Sequence, residues 1–391
     1  MDEFLAIFTP LEWILVLGLL ISSIALIHFY LKYYAPLART KTNCNVNTED
    51  NRPISVVISG KNEYENLKEN LPFWLSQKYP QFEIVVVYDT TDDNLLYLLR
   101  DFQQHYPQLK LINFTQNVNF FDEQRFSISI GIKSAEYDYV LISTADCRPT
   151  NEHYLESIQS GLSDSCDVLL SYTSYTRKNN LLNSFIRFHL FQNNLQILSF
   201  ALKGKVYAAS HQNMIYRKDF FLQHQGYTSF YALKTGVYDL LTPSIFTPKN
   251  VKVQLKSEAF TKNSDKTFTH HWIKKEMQYF TILRNAPKKI AFSLASYRGF
   301  TFLFFVFLFL GIGSLLLNTQ AISEYKLIGL YACLLLILIK LGIQYYVIKR
   351  CMNKLHEKHF LLFIPLFEVL YLPLQSILFF IRMRPQIKKW N

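Results

Sequence analysis

Residues 14–31 read ILVLGLLISSIALIHFYL, eighteen consecutive positions without Asp, Glu, Lys or Arg. An apolar helix of that length crosses hydrocarbon rather than packing in a soluble core. Asp2, Glu3 and Glu12 precede the run, and Lys32, Arg39 and Lys41 follow it. A cleaved signal peptide has a basic start, a shorter apolar core and a small-residue cleavage site. The run is therefore expected to stay as an anchor over residues 1–34. The positive-inside rule puts its N-terminus outside and residue 32 onward in the cytoplasm.

Two further runs obey the same rule. Residues 300–318 (FTFLFFVFLFLGIGSLLLN) follow Arg284, Lys288, Lys289 and Arg298, and residues 327–348 precede Lys349, Arg350, Lys354 and Lys358. Both cationic flanks belong on the cytoplasmic side. Segment 360–381 is harder to place. It is apolar, yet it holds Pro365, Glu368 and Pro373, and Arg382, Arg384, Lys388 and Lys389 follow it. A full crossing would export those four charges. A re-entrant or interfacial helix pair, broken at the prolines, avoids the conflict and is the expectation; spanning is the alternative. Lys340 and Glu368 lie inside apolar segments, where ionisable groups pair or snorkel.

The net charge of +11 has the same origin. From Trp272 onward there are 16 Lys and Arg against 4 Asp and Glu, so the first 271 residues carry a net charge of −1. The excess reads as membrane-edge charge facing anionic lipid headgroups, with no nucleic-acid partner. The five cysteines are scattered, without C-x-x-C spacing. That argues against a disulfide framework or a zinc site and suits a reducing compartment.

Between the first and second runs the pattern changes. Residues 35–52 form a polar linker. Strands are expected at 54–58 (ISVVI), 83–88 (EIVVVY), 109–114 and 139–144 (YVLIST), alternating with helices at 62–76, 95–106 and 126–135. Alternating elements with continuously apolar strands predict a doubly wound, mostly parallel α/β sheet covered on both faces. Ligands bind such sheets at the carboxyl ends of the strands. There the sequence offers Ser59-Gly60-Lys61-Asn62-Glu63, then Asp89 with Asp92 and Asp93, then Thr144-Ala145-Asp146. A carboxylate cluster at that edge suits a divalent cation holding phosphates. Neither G-x-x-x-x-G-K-[ST] nor G-x-G-x-x-G is present.

With these residues in view, the chain resembles the family 2 glycosyltransferases of bacterial inner membranes. The resemblance runs from about residue 53 to 278. ISVVISGKNEYENL is similar to the family's opening strand and R/K-N-E turn, and QKYPQFEIVVVYD to the segment ending in the uracil-contacting Asp. FSISIGIKSAEYDYVLISTADCRP resembles the approach to the D-x-D motif. LLNSFIRFHLFQNNLQILSFALKGKVYAASHQNMIYRKDFF resembles an acceptor-side region of one subgroup. The resemblance implies a GT-A fold over residues 53–290 and a C-terminal membrane region over 291–391. It also implies a nucleotide-sugar donor, Mg2+ or Mn2+, and inverting transfer to a lipid-linked or membrane-proximal glycan. Glu63 and Asp89 would hold the nucleoside, with Ser59, Lys61 and Thr144 lining the donor site, and Asp146 would face the metal.

Three positions depart from the family pattern. D-x-D is Thr144-Ala145-Asp146. The acidic acceptor motif is Gly236-Val237-Tyr238-Asp239, which leaves Asp239 as the catalytic base. The Q-x-x-R-W region reads Trp272 to Gln278, where Lys274 and Lys275 are the cations for a diphosphate. These departures carry an alternative: a catalytically inactive relative that binds a glycan, a nucleotide-sugar or a protein partner.

Overall fold

The computed structural model describes residues 9–41, 51–89, 93–113, 123–224, 226, 246–264, 268–317 and 324–383. Helix α1 (Pro10–Phe29) passes through a π-helical turn (Tyr30–Tyr34) into α2 (Ala35–Arg39). Next come β1 (Ile54–Lys61), α3 (Tyr64–Leu75), β2 (Phe82–Asp89), α4 (Asp93–His105), β3 (Leu109–Asn113), α5 (Glu123–Ser134) and β4 (Tyr139–Thr144). They are followed by β5 (Cys147–Pro149), α6 (Tyr154–Gln159), β6 (Val168–Leu170), β7 (Thr173–Tyr175), α7 (Leu181–Leu202), β8 (Met214–Arg217) and α8 (Lys218–Gln223). The chain continues with β9 (Val251–Val253), β10 (Thr261–Asn263), α9 (Phe268–Asn285), α10 (Lys288–Leu317), α11 (Glu324–Lys354) and α12 (Ile364–Met383). The described residues divide into two compact units. One draws on Met1–Arg39, Lys288–Asn353 and Lys358–Asn391, the other on Thr40–Pro287 and Lys354–Glu357.

The second unit is the α/β part. Its main sheet has the order β3-β2-β1-β4-β8-β6-β9. The first four strands are mutually parallel, β8 runs antiparallel to β4 and β6, and β9 is parallel to β6. A second sheet has the order β5-β10-β7. The four strands and three helices expected from periodicity all form, with ends displaced by no more than three residues.

Strand alternation sorts the core. Ile54, Val56 and Ile58 pack with Leu67, Leu71 and Trp74 of α3 and with Leu95 and Leu99 of α4. Val57 and Val87 face the other way, onto α5. Gly131 lets that helix approach, since a Cβ there would overlap Val57. Each buried aliphatic side chain contributes roughly 2 kcal/mol of transfer free energy.

One buried carboxylate stitches the parallel strands. Glu83 on β2 accepts from Ser55 Oγ (2.5 Å) and from the Glu136 amide (2.5 Å), and pairs with Lys110 of β3 (2.7 Å). Burial alone would raise its pKa; the hydrogen bonds from Lys110, Ser55 and the Glu136 amide outweigh that and hold it below the usual carboxylate value.

Among the described residues the other unit contains three helices long and apolar enough to cross a membrane: Pro10–Arg39, Lys288–Ser314 and Leu327–Lys354. Helix α1 starts in a capping box, with Glu12 N donating to Thr9 Oγ1 and Thr9 N to Glu12 Oε2. Glu12 therefore has a local structural task beyond any role in topology.

The fourth apolar segment corrects an expectation. It forms no helix pair broken at the prolines; α12 runs through Pro373 as one helix. Pro365 falls in the first turn, where its missing N–H has no partner to lose. At Pro373 a single intrahelical bond is lost, and the bonds on either side carry the helix onward.

Lys340 and Glu368 meet in this unit without snorkelling. Lys340 Nζ donates to Gln344 Oε1 (2.7 Å), Gln344 Nε2 donates to Glu368 Oε1 (2.8 Å), and the two charges lie 3.9 Å apart. Tyr30 OH donates to Glu368 Oε1 (3.3 Å), and the Lys340 ammonium sits 4.3 Å from the Phe304 ring centroid. All of these groups are buried, so each needs its partner inside the protein.

Two outcomes follow from these networks. Lys340→Leu or Glu368→Leu alone is expected to lower stability in detergent by about 3 kcal/mol, and the double substitution to recover part of it; strictly additive losses would count against coupling. Glu83→Gln is expected to cost about 2 kcal/mol at neutral pH. Because the folded pKa is depressed, that contribution is present above the unfolded value of about 4.3 and fades as pH falls through the folded one. Denaturant titrations should therefore show the gap between wild type and variant narrowing below about pH 4.

Candidate active site

The parallel register sets the site. With β1 between β2 and β4, Ser59 pairs with Val87 and Thr144, and Lys61 pairs with Asp89. Three strand ends thus place Ser59, Lys61, Asp89 and Thr144 on one edge of the sheet. The chain leaves β1 through Asn62, whose φ of 53° lies in the left-handed region that Asn tolerates. That turn leads to Glu63 at the start of α3, where its Oε2 accepts from Asn66 Nδ2 at 2.6 Å. Ser59 Oγ is buried and has no hydrogen-bond partner among the described residues.

Asp146 follows β4, and its carboxylate is held at both ends. Thr144 Oγ1 donates to Oδ1, and Asn263 Nδ2 of β10 donates to Oδ2 at 2.6 Å. The turn beneath is fixed from two directions. Asn70 Nδ2 donates to Ala145 O (2.9 Å) and Trp74 Nε1 to Cys147 O (2.9 Å), both from α3. Ser264 N donates to Asp146 O (2.8 Å) from the opposite flank. Cys147 lies in the same turn; burial first, and then the Asp146 charge, push its thiol pKa well up, so it stays a neutral packing group.

Cation reaches this edge from α9. Lys275 Nζ stands 5.0 Å from the Tyr175 ring centroid, and Tyr175 is the register partner of Asn263. The lysine's charge acts on Cys147, next to Asp146. Lys275, Tyr175, His211 and Gln212 line a small cavity of about 60 Å³, bounded by α7 and α9. Lys275 is thus at the Asp146 edge. The side chains of Asp89 and Lys274 fall outside the described residues, as does Asp239 with Gly236, Val237 and Tyr238.

Sequence reasoning missed Asn70, Asn263 and Ser264. Each is an unremarkable polar residue in its own segment, and Asn263 lies 117 positions from the carboxylate it binds. No local pattern signals such a partner.

A metal ion is compatible with this donor set. Among the described residues no three His, Cys, Asp or Glu side chains converge on an ion. A carboxylate has about four lone-pair positions, however, and Asp146 uses three of them, one only for a weak bond from Cys147 Sγ at 3.5 Å. Mg2+-type ions take one or two carboxylates and fill the remaining positions from phosphates and water. The residues fit an ion shared with a donor diphosphate, and they make no closed cage.

Residues 55–224 match the family model described as Glycosyl transferase family 2. That stretch, rather less than half of the chain, is similar to the family 2 glycosyltransferases. The matched range takes in Ser59, Lys61, Glu63, Asp89, Thr144 and Asp146; Asp239, Lys274 and Lys275 lie beyond it. Two sequences of poly-beta-1,6-N-acetyl-D-glucosamine synthase from Staphylococcus epidermidis are 30% and 29% identical to this chain over 93 residues. Each match covers 24% of this chain and only 21% of the relative's length. The mannosyltransferase PcManGT from Pyrobaculum calidifontis, solved with GDP-Man and Mn2+, shares the fold with a TM-score of 0.56. That likeness covers 88% of this chain and 100% of the other, at 15% identity. The GT-A architecture expected for the glycosyltransferase domain is therefore the one observed.

The hold on Asp146 is directly testable. Asn263→Ala should lower unfolding free energy by about 1–3 kcal/mol, read by denaturant titration, because buried polar groups lose their partner. Unchanged stability would show that the bond contributes nothing.

Proposed function

We propose that the chain is a membrane-anchored inverting glycosyltransferase. It moves a sugar from a nucleotide-sugar donor to a lipid-linked or membrane-proximal glycan. The observation that carries this reading is the convergence of Ser59, Lys61, Asp89, Thr144 and Asp146 on one sheet edge of a family 2-like domain.

Glu63 and Asp89 hold the nucleoside, and Ser59 and Thr144 line the donor cleft. Lys275, with Lys274, offsets diphosphate charge, as ammonium groups do without the bidentate geometry of Arg. Asp146, oriented by Thr144 and Asn263, is the protein ligand to Mg2+ or Mn2+. When bound, that ion supplies charge neutralisation to the departing diphosphate. The Asp239 carboxylate takes the acceptor hydroxyl proton as the new glycosidic bond forms and the bond to the diphosphate breaks, which inverts the anomeric carbon.

The three apolar helices and the cationic flanks of their segments support a multi-pass inner-membrane protein, with the N-terminus outside and the catalytic domain in the cytoplasm. An acceptor at the membrane follows from that tether.

One observation favours the second reading, a relative that binds sugar-nucleotide or glycan without turnover. Thr144 replaces the first carboxylate of the motif, and both oxygens of Asp146 already accept internal hydrogen bonds. The test is donor hydrolysis and transfer by the purified full chain with a panel of nucleotide-sugars and Mn2+ or Mg2+. Asp146→Ala and Asp239→Ala are each expected to lower kcat at least about 100-fold. Equal activity in wild type and both variants would overturn the site assignment. Nucleotide-sugar binding without turnover would select the second reading.

A further inference from the structure

A second pocket, of about 380 Å³, lies in the α/β unit at the far end of the three-stranded sheet from Asp146. Along β10, Asn263 holds Asp146, while Phe260, in extended conformation just before the strand, forms the pocket floor. Three residues of extended chain put the two about 10 Å apart. Leu355 completes the floor; both apolar groups are buried, at 0% and 3% exposure for Leu355 and Phe260.

The walls are polar. Thr150, Asn151 and Ser174 present hydroxyl and amide groups, and Glu258 adds a carboxylate. Ser257 Oγ donates to Glu258 Oε2 at 2.9 Å. Its own backbone N–H and then this hydroxyl hold the Glu258 pKa below the usual range, so it faces the pocket as an ionised acceptor. His356 stands on the rim with φ of 56°, its ring centroid 6.3 Å from that of Phe260.

His356 and Leu355 come from the short stretch that follows α11, and their place is fixed. Neighbouring Glu357 is buried, accepting from Tyr172 OH at 2.9 Å and from Arg187 Nη2. Removing one partner of such a pair costs several kcal/mol, so this wall is a rigid part of the unit.

The chemistry selects the ligand. Among the described residues no Lys or Arg lines the pocket, and Glu258 repels phosphate, so nucleotides and anionic headgroups are disfavoured. Thr150, Asn151 and Ser174 already donate to backbone or side-chain oxygens of the unit, but an apolar ligand would cover the ionised, exposed Glu258 carboxylate and strip its water. The volume lies at the small end of the range for small-molecule sites. We propose that this pocket binds a neutral glycan segment and serves as a holding subsite for the saccharide acceptor. The acceptor role rests on the glycosyltransferase reading above; the binding does not.

The test uses the full chain in detergent with three neutral probes: cellotetraose, chitotetraose and a β-1,6-linked N-acetylglucosamine tetramer. Binding is read by calorimetry or saturation-transfer NMR. Glu258→Gln removes the ionised acceptor and Ser174→Trp fills the pocket; neither residue belongs to the donor site. Each is expected to weaken binding of a tetrasaccharide about tenfold. Donor hydrolysis measured without oligosaccharide should stay within about twofold of wild type, which separates this subsite from the donor cleft. Binding of none of the three probes, equal binding by wild type and both variants, or displacement by inorganic phosphate would overturn the subsite. Absence of donor hydrolysis and transfer in wild type would overturn the proposed activity and leave the binding comparison to decide the pocket.

Discussion

Parallel pairing of β1 with both β2 and β4 is the constraint on which the rest depends. Parallel ladders align strand ends of the same polarity, so every carboxyl end lands on one edge. Ser59 beside Thr144, and Lys61 beside Asp89, are consequences of that register. A slip of one residue would reverse the facing of every side chain on β1, burying what now faces the cleft. The apolar alternation of Ile54, Val56 and Ile58 against α3 and α4 prevents that slip. Glu83, bonded to groups on both sides of β2, reinforces it.

Polar groups far from water carry the precision of this molecule. The Asp146 turn is held by Asn70, Trp74, Asn263 and Ser264, four side chains or amides drawn from α3 and from the end of β10. The same economy recurs in the membrane-type unit, where Lys340, Gln344, Glu368 and Tyr30 are linked by hydrogen bonds through Gln344 and Glu368 Oε1. A buried donor or acceptor without a partner costs more than a made bond gains, so such clusters are strict about geometry. A carboxylate held in this way presents its remaining lone pairs in fixed directions, as a shared cation requires.

Much of the fold was legible in the sequence, for identifiable reasons. The uncharged runs announced helices long enough to span a membrane. The β-branched runs at 54–58, 83–88 and 139–144 announced buried parallel strands, and the polar residues after them share the sheet edge on which the candidate site is placed. Legibility failed where partners are distant or local rules conflict. Pro373 marked a break that tertiary context did not honour, since one lost hydrogen bond is small beside a whole helix. Nothing in its own segment marks Glu357, yet it is buried against Arg187.

By itself, then, the sequence determined which segments are apolar, with what period, and which short motifs stand at their ends. Those properties are local, because hydrophobic periodicity and turn chemistry act within a few residues. Only the tertiary structure decided that Asn263 holds Asp146, that Lys275 stands over Tyr175, and that residues 354–357 join the α/β unit. Those contacts join residues about a hundred or more positions apart. They are made when the sheet closes and a buried polar group takes the partner the fold brings within reach.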